Sequence, residues 1–212
     1  MKLYGYWRST AAYRVRIALG LKQLACEQIS VHLVKDGGEQ LKPEYVALNP
    51  SKLVPTLVDG DVELNQSVAI MEYLDEKFPD SPLLPNDLVL KAKVRAFCQD
   101  IACDIHPLNN LRVLKYLKGQ LEVTDEAKDG WYAHWITTGF EALEARLEST
   151  MGKYCFGDEV GMADICLMAQ IYNARRFNVP LDNFPRILQI EANCNALDAF
   201  KDARPENQPD AS

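Results

Sequence analysis

The chain has 212 residues, 48% hydrophobic and 25% charged, enough for one large domain or two small ones with a buried core. A formal net charge of -7 argues against a nucleic-acid surface of clustered Lys and Arg, but leaves room for a small anion held by a few local arginines. No stretch has the length of a secretory leader or a membrane span, and the six cysteines show neither C-x-x-C nor metal-like spacing, so reduced thiols and a cytoplasmic location are expected.

Taken in chain order, "KLYGY" reads as a short strand leading into the helix "WRSTAAYRVRIALG", Trp7 to Gly20, with Gly20 closing it. The first turn crowds Arg8, Ser9 and Thr10 together. Either hydroxyl suits the N-cap position, where its oxygen accepts an orphan backbone N–H. A hydroxyl beside a helix N-terminus also favours an anion, and a thiol placed there loses its proton more readily. No cysteine stands near this turn, so such a thiol would come from a ligand. Arg14 borders the same end, while Arg16 reads as a solvated or snorkelling side chain.

"EQISVHL" alternates Ile29, Val31 and Leu33, the period of a half-buried strand. A polar stretch with "KDGGEQ" follows, then a brief helix over 43–48. "LVPTL" opens a third strand at Pro55. In a thioredoxin-like unit that proline is expected to be cis, leaving the Val54 backbone free to pair with an extended peptide; a strand-edge proline is the alternative. Asp59-Gly60-Asp61 between two short apolar runs signals a hairpin. "NQSVAIMEYLDEKF" then carries Ile70, Tyr73, Leu74 and Phe78 along one helix side. At its start, Gln66 and Ser67 combine an amide, a hydroxyl and a helix N-terminus, which suits a carboxylate or serves as an ordinary cap. The order βαβ, short helix, ββα over residues 1–80 is the thioredoxin-like arrangement.

Pro79, Pro82 and Pro85 mark a seam, with 81–87 as linker. Residues 88–212 carry no convincing strand and are expected to form an all-helical domain, giving an α/β plus all-α fold class. One long helical pattern breaks at Pro107. Another repeats Tyr132, Ile136, Phe140, Leu143 and Leu147, and a third Ile165, Met168, Ala169 and Tyr172. Arg176 falls four residues after Tyr172 and so continues an apolar stripe. It could pair with terminal carbonyls or grip a substrate carboxylate with its planar fork. His106, beside Pro107, reads by itself as structural.

A thiolate site, a peptide-backbone site and a carboxylate site on one small domain together describe glutathione. With "RSTAAYRVRIAL", "KDGGEQ", "LNPSKLVPTL", "NQSVAIMEYL", "IHPLNNLRVL", "GDEVGMADICL", "NARRF" and the tail "ENQPDAS", the chain resembles the zeta-class glutathione transferases, and within them the maleylacetoacetate isomerases. The resemblance implies glutathione as cofactor, a small dicarboxylate substrate, a homodimer, a place in tyrosine and phenylalanine catabolism, and neither metal, nucleic acid nor membrane as partner. It implies that Ser9 stabilises the glutathione thiolate with Thr10 beside it, and that Ser9, Thr10, Ala11, Ala12, Tyr13 and Arg14 line the sulfur end. Gln40 and Val54 would hold the peptide portion, and Gln66 and Ser67 the γ-glutamyl carboxylate. His106, Asn110, Leu111 and Arg112 match positions near glutathione in the family, and Arg8 and Arg176 would bind the substrate.

The chain departs from the family at Ser9-Thr10-Ala11, where the zeta pattern commonly reads Ser-Ser-Cys, so no mechanism can use that cysteine, and the thiolate partner is left open between the Ser9 and Thr10 hydroxyls. Leu53 replaces a frequent glutamine. Gly161 stands where Ser or Thr usually caps a helix against Asp164, a change worth on the order of a few tenths of a kcal/mol. The implied reaction is cis–trans isomerisation of a maleyl double bond. Maleylpyruvate as substrate, conjugation to small haloacids and a non-catalytic interaction role are the alternatives.

Overall fold

The computed structural model describes residues 1–211; Ser212, the last residue of the tail motif, lies outside them. The chain forms two compact units: Met1–Leu83 together with the segment from Asn195 onward, and Leu84–Cys194.

The first unit runs β1 (Lys2–Gly5), α1 (Thr10–Leu21), β2 (Glu27–Ser30), α2 (Pro43–Leu48), β3 (Thr56–Asp59), β4 (Val62–Asn65) and α3 (Ser67–Lys77). The sheet order is β2-β1-β3-β4, with β2 parallel to β1 and the other pairs antiparallel. Leu3 pairs with Leu57 and turns to one face, where it meets Val15 and Leu19 of α1 and Ile70 and Leu74 of α3 in a buried cluster. Tyr73 and Phe78 pack partly buried against that cluster. Strand alternation sends Tyr4 and Thr56 to the opposite face, where Tyr45 of α2 lies against Tyr4 and its hydroxyl bonds Thr56 Oγ1 at 3.0 Å.

The registers decide where a site can form. Thr56 at the start of β3 pairs with Tyr4 near the end of β1 and with Asn65 at the end of β4. Three neighbouring strands therefore present, at one end of the sheet, the turn into α1, the Val54-Pro55 junction and the turn into α3. The β3–β4 hairpin closes at the other end through Gly60, whose φ of +62 suits a residue without Cβ.

Two local expectations need correction. β2 stops at Ser30 and does not extend to Leu33, because His32 Nδ1 accepts the amides of Val34 and Lys35 and turns the chain. Gly20 does not end α1. A Cβ there would meet Ala199 Cβ at 3.2 Å, so the glycine admits the close approach of α9 (Asp198–Asp202). That contact belongs to a segment assigned from sequence to the helical domain. It packs within the first unit, where Tyr13 Oη donates to Phe200 O at 3.4 Å and Arg16 Nε to Ala203 O at 3.1 Å.

The second unit contains α4 (Leu88–Gln99), α5 (Leu111–Gly119), α6 (Asp125–Thr150), α7 (Met162–Arg176) and α8 (Pro185–Asn195), the last residue of which joins the first unit. The five apolar positions expected on α6 are all buried. Between α4 and α5 the chain widens into a π turn at Asp100–Ile105 and tightens into a 3₁₀ turn at His106–Asn109, a change of helix type that sequence period does not carry. Gly139 of α6 admits Ile105 of that π turn. At the start of α7, Asp164 accepts the Gly161 amide at 2.9 Å and the Cys155 amide at 2.8 Å, so the cap holds without a hydroxyl at Gly161.

Candidate functional site

Ser9 is the N-cap of α1, and its Oγ accepts the Ala12 amide at 3.2 Å. That bond uses an oxygen lone pair and leaves the hydroxyl proton to donate outward. Ser9 is only half-buried, whereas Thr10 is 3% exposed and already engaged. Beyond Ser9 the expected lining is not continuous. Ala12 and Tyr13 are buried, and the Tyr13 hydroxyl reaches Phe200, so both face the interior. Ala11 stays half-buried.

Arg14 is 2% exposed, and Nη1 donates to Ser67 Oγ at 3.2 Å, joining the start of α1 to the start of α3. Its Nε and Nη2 are buried without a hydrogen-bond partner. Buried cations are ordinarily paired, so this guanidinium suits an anion that the described residues do not supply. Beside it, Gln66 caps α3 with φ +68 and no side-chain cap bond. The first amides of α3 are thus left without a side-chain cap, at a helix N-terminus suited to an anion.

The Val54-Pro55 peptide is cis, as expected. Among the described residues nothing hydrogen-bonds to the Val54 amide or carbonyl, so both groups of a half-buried residue are open to an extended peptide. The loop that presents them is fixed from beneath. Asn49 Nδ2 donates to Leu53 O and Thr56 Oγ1, its Oδ1 accepts from Ser51 N and Asn65 Nδ2, and Tyr45 Oη also donates to Leu53 O. Leu53 is therefore held through its carbonyl, whatever its side chain. Gln40 is buried in a short 3₁₀ turn with Oε1 unpartnered.

Arg8 lies with its guanidinium carbon 4.1 Å from the centre of the Trp7 ring, and it forms no ion pair among the described residues. Arg16, expected to be solvated, is instead buried at 7% exposure and donates Nη2 to Trp7 O at 3.0 Å.

The remaining expected residues belong to the second unit. His106 begins the 3₁₀ turn, and Asn110 caps α5 by accepting the Arg112 amide at 3.1 Å. Leu111 is half-buried and Arg112 exposed. Arg176 is exposed, not part of the buried stripe, because α7 ends there; its guanidinium carbon sits 5.1 Å from the Phe177 ring centre. Arg175 is paired with Glu191 at 2.7 Å, while Arg176 has no acid partner among the described residues. Burial pushes the Tyr132 phenol well above its ordinary range, with the Arg176 charge acting the other way. A 470 Å³ cavity in this unit contains none of the expected residues, and Glu144 in its wall is occupied in accepting the Arg186 and Ile187 amides at the start of α8. Burial raises the Cys155 and Cys194 thiols, so neither is an ambient nucleophile.

A family model for the glutathione S-transferase N-terminal domain matches residues 3–82. A probable maleylacetoacetate isomerase of Vibrio cholerae is 54% identical over 209 residues, covering 99% of this chain and 97% of the relative. Among solved structures, the holo form of a maleylpyruvate isomerase, a bacterial glutathione S-transferase of the zeta class, superimposes with a TM-score of 0.96 at 45% identity, each chain covered fully. The chain belongs to the zeta-class glutathione transferases. A maleylacetoacetate isomerase from Methylobacterium extorquens, solved with malonate and glutathione bound, is similar at TM-score 0.96 and 40% identity, again over 100% of both chains.

In this zeta-class transferase the signals missed from sequence are non-local. Asn49 and Arg16 act through backbone carbonyls that no spacing rule points to. The orphaned donors of Arg14 become visible only once its burial is known.

Proposed function

We propose that this transferase is a glutathione-dependent cis–trans isomerase of maleyl dicarboxylates, with maleylacetoacetate as the substrate and maleylpyruvate as the second reading. The observation that carries it is the open polar set at one end of the sheet. An outward hydroxyl at the α1 N-terminus, an unpaired Val54 backbone, an uncapped α3 N-terminus and the buried Arg14 donors answer the thiol, peptide and carboxylate groups of glutathione in turn. The relative crystallised with both glutathione and malonate supports a dicarboxylate as the second ligand.

Bound glutathione supplies a nucleophilic sulfur whose reversible addition to the maleyl double bond permits rotation about it. Ser9 Oγ–H donates to that sulfur, and the α1 N-terminus adds its positive end, so the thiolate is favoured at neutral pH. The Val54 amide and carbonyl pair with the peptide portion, with Gln40 as a further contact. Gln66, Ser67 and the first α3 amides take the γ-glutamyl carboxylate above Arg14. Arg8 and Arg176, each over an aromatic ring and without an acid partner among the described residues, are the two candidates to receive the substrate's carboxylate and the charge spreading into its carbonyl system. The resemblance assigns His106, Asn110, Leu111 and Arg112 as further glutathione positions. Residues 1–80, with the segment from Asn195 onward packed back on them, serve as the glutathione-binding domain, and the helices from 88 to 194 as the helical domain. The resemblance further assigns the chain to a cytoplasmic homodimer in tyrosine and phenylalanine catabolism.

The test measures fumaryl product from maleylacetoacetate and from maleylpyruvate, with and without glutathione. Turnover is expected only with glutathione, without net consumption of it, and Ser9→Ala is expected to lose far more kcat than Thr10→Ala. Equal rates after glutathione removal, or no turnover of either maleyl acid, would overturn the proposal.

A further inference from the structure

The tail of the chain holds groups that the reaction above does not use. Asp210 Oδ2 accepts the Trp7 amide at 3.1 Å and the Ser30 hydroxyl at 2.8 Å, spanning 203 residues of sequence to reach Trp7. The Trp7 carbonyl is held from the other side by Arg16, whose Nε also bonds the tail at Ala203 O. Both backbone groups of Trp7 are therefore fixed by charged side chains, and Trp7 in turn carries the Arg8 guanidinium on its ring. Ser9 follows two residues later, its amide bonded to Tyr6 O at 2.9 Å across the same turn. Phe200 and Ala203 anchor the start of the tail by burial, and beyond them Gln208, Pro209 and Asp210 line a 160 Å³ pocket together with Tyr6, Trp7 and Arg16.

We infer that Asp210 is a positioning residue for the turn Trp7–Ser9, acting with Arg16 to set the Ser9 hydroxyl and the Arg8 guanidinium for the isomerisation. The inference rests on Ser9 being the thiolate donor. A carboxylate–amide bond is among the stronger hydrogen bonds, and losing it frees a turn whose small displacement moves a donor off the sulfur.

The experiment compares Asp210→Ala, Asp210→Asn, Ser30→Ala and Ser9→Ala in the full chain. It reads kcat, KM for glutathione, and the pKa of the enzyme-bound glutathione thiol from its thiolate absorbance. Asp210→Ala is expected to lower kcat about ten- to a hundredfold and to raise the bound thiol pKa by about one unit, with KM for glutathione little changed because Val54 and α3 are untouched. Asp210→Asn keeps an acceptor oxygen and restores most of both. Ser30→Ala removes only the second anchor and shifts both in the same direction by less. If Asp210→Ala leaves kcat and the thiol pKa at wild-type values, even with a lowered melting temperature, the tail is a structural attachment only and the inference fails. Should that variant not fold, an unchanged thiol pKa in Ser30→Ala overturns it instead. If Ser9→Ala leaves the thiol pKa unchanged, the Ser9 assignment fails, whatever Asp210 does.

Discussion

Replacing Asn49 by Ala removes four hydrogen bonds from a residue that is 1% exposed. At a net worth of about 0.5–1.5 kcal/mol each, the full set would come to about 2–6 kcal/mol. The partners left behind narrow that range. Leu53 O and Thr56 Oγ1 keep the Tyr45 hydroxyl, at 2.7 and 3.0 Å, while Ser51 and Asn65 are exposed, so their donors rehydrate. A loss of about 2–3 kcal/mol follows, a fall of about 5–10 °C in the melting temperature of a chain of this length. Because the same bonds fix the loop that offers the Val54 backbone, KM for glutathione should rise several-fold while kcat at saturating glutathione stays close to wild type. Thermal unfolding and initial rates across a glutathione series measure both. A destabilisation below about 0.5 kcal/mol, the range of an ordinary surface change, would refute the energetic reasoning. An unchanged KM would detach this loop from glutathione.

Gly139→Ala would drive a Cβ into Cγ1 and Cδ1 of buried Ile105, at a cost of about 1–3 kcal/mol; adding Ile105→Val removes Cδ1 and should recover part of it, so a strictly additive double variant would contradict the packing account. Burial holds the Asp164 carboxyl above its ordinary value of 3.8, outweighing the amides that favour its charge. From 3.8 up to that raised value the folded protein binds more protons than the unfolded chain, so this group's contribution to stability falls as pH rises through the window and is level above it. The difference in melting temperature between wild type and Asp164→Asn should therefore change with pH across that window, and a flat difference would reject the assignment.

Where the chain obeys a short period, its structure could be read in advance. The α6 stripe from Tyr132 to Leu147, the helix at Pro43–Leu48 and the turn at Gly60 all rest on spacing or on a single residue's conformational preference. Arg16 shows where that reading ends. Set between Val15 and Ile17 it looked solvated, yet its acceptors are the carbonyls of Trp7 and Ala203, and only the folded tail brings the second one near. Arg176 failed for the opposite reason: periodicity placed it on a stripe, but the helix stops at that residue. For the site, the resemblance supplied the residues and the sequence supplied the caps, but neither separated Ser9 from Thr10. Their burial differs, Ser9 half-buried and Thr10 enclosed, and that difference is what favours Ser9 in the proposed reaction.

The gathering of three strand ends at one edge has an evolutionary reach. Much of what the proposed site offers glutathione there is main chain: the amide and carbonyl of Val54 and the opening amides of α3. Main-chain groups survive nearly every substitution, so on this proposal mutation can alter the side chains at these positions without abolishing recognition of glutathione. Change at the side chains proposed to face the sulfur, Ser9 to Ala11, would then alter the chemistry while leaving that grip in place.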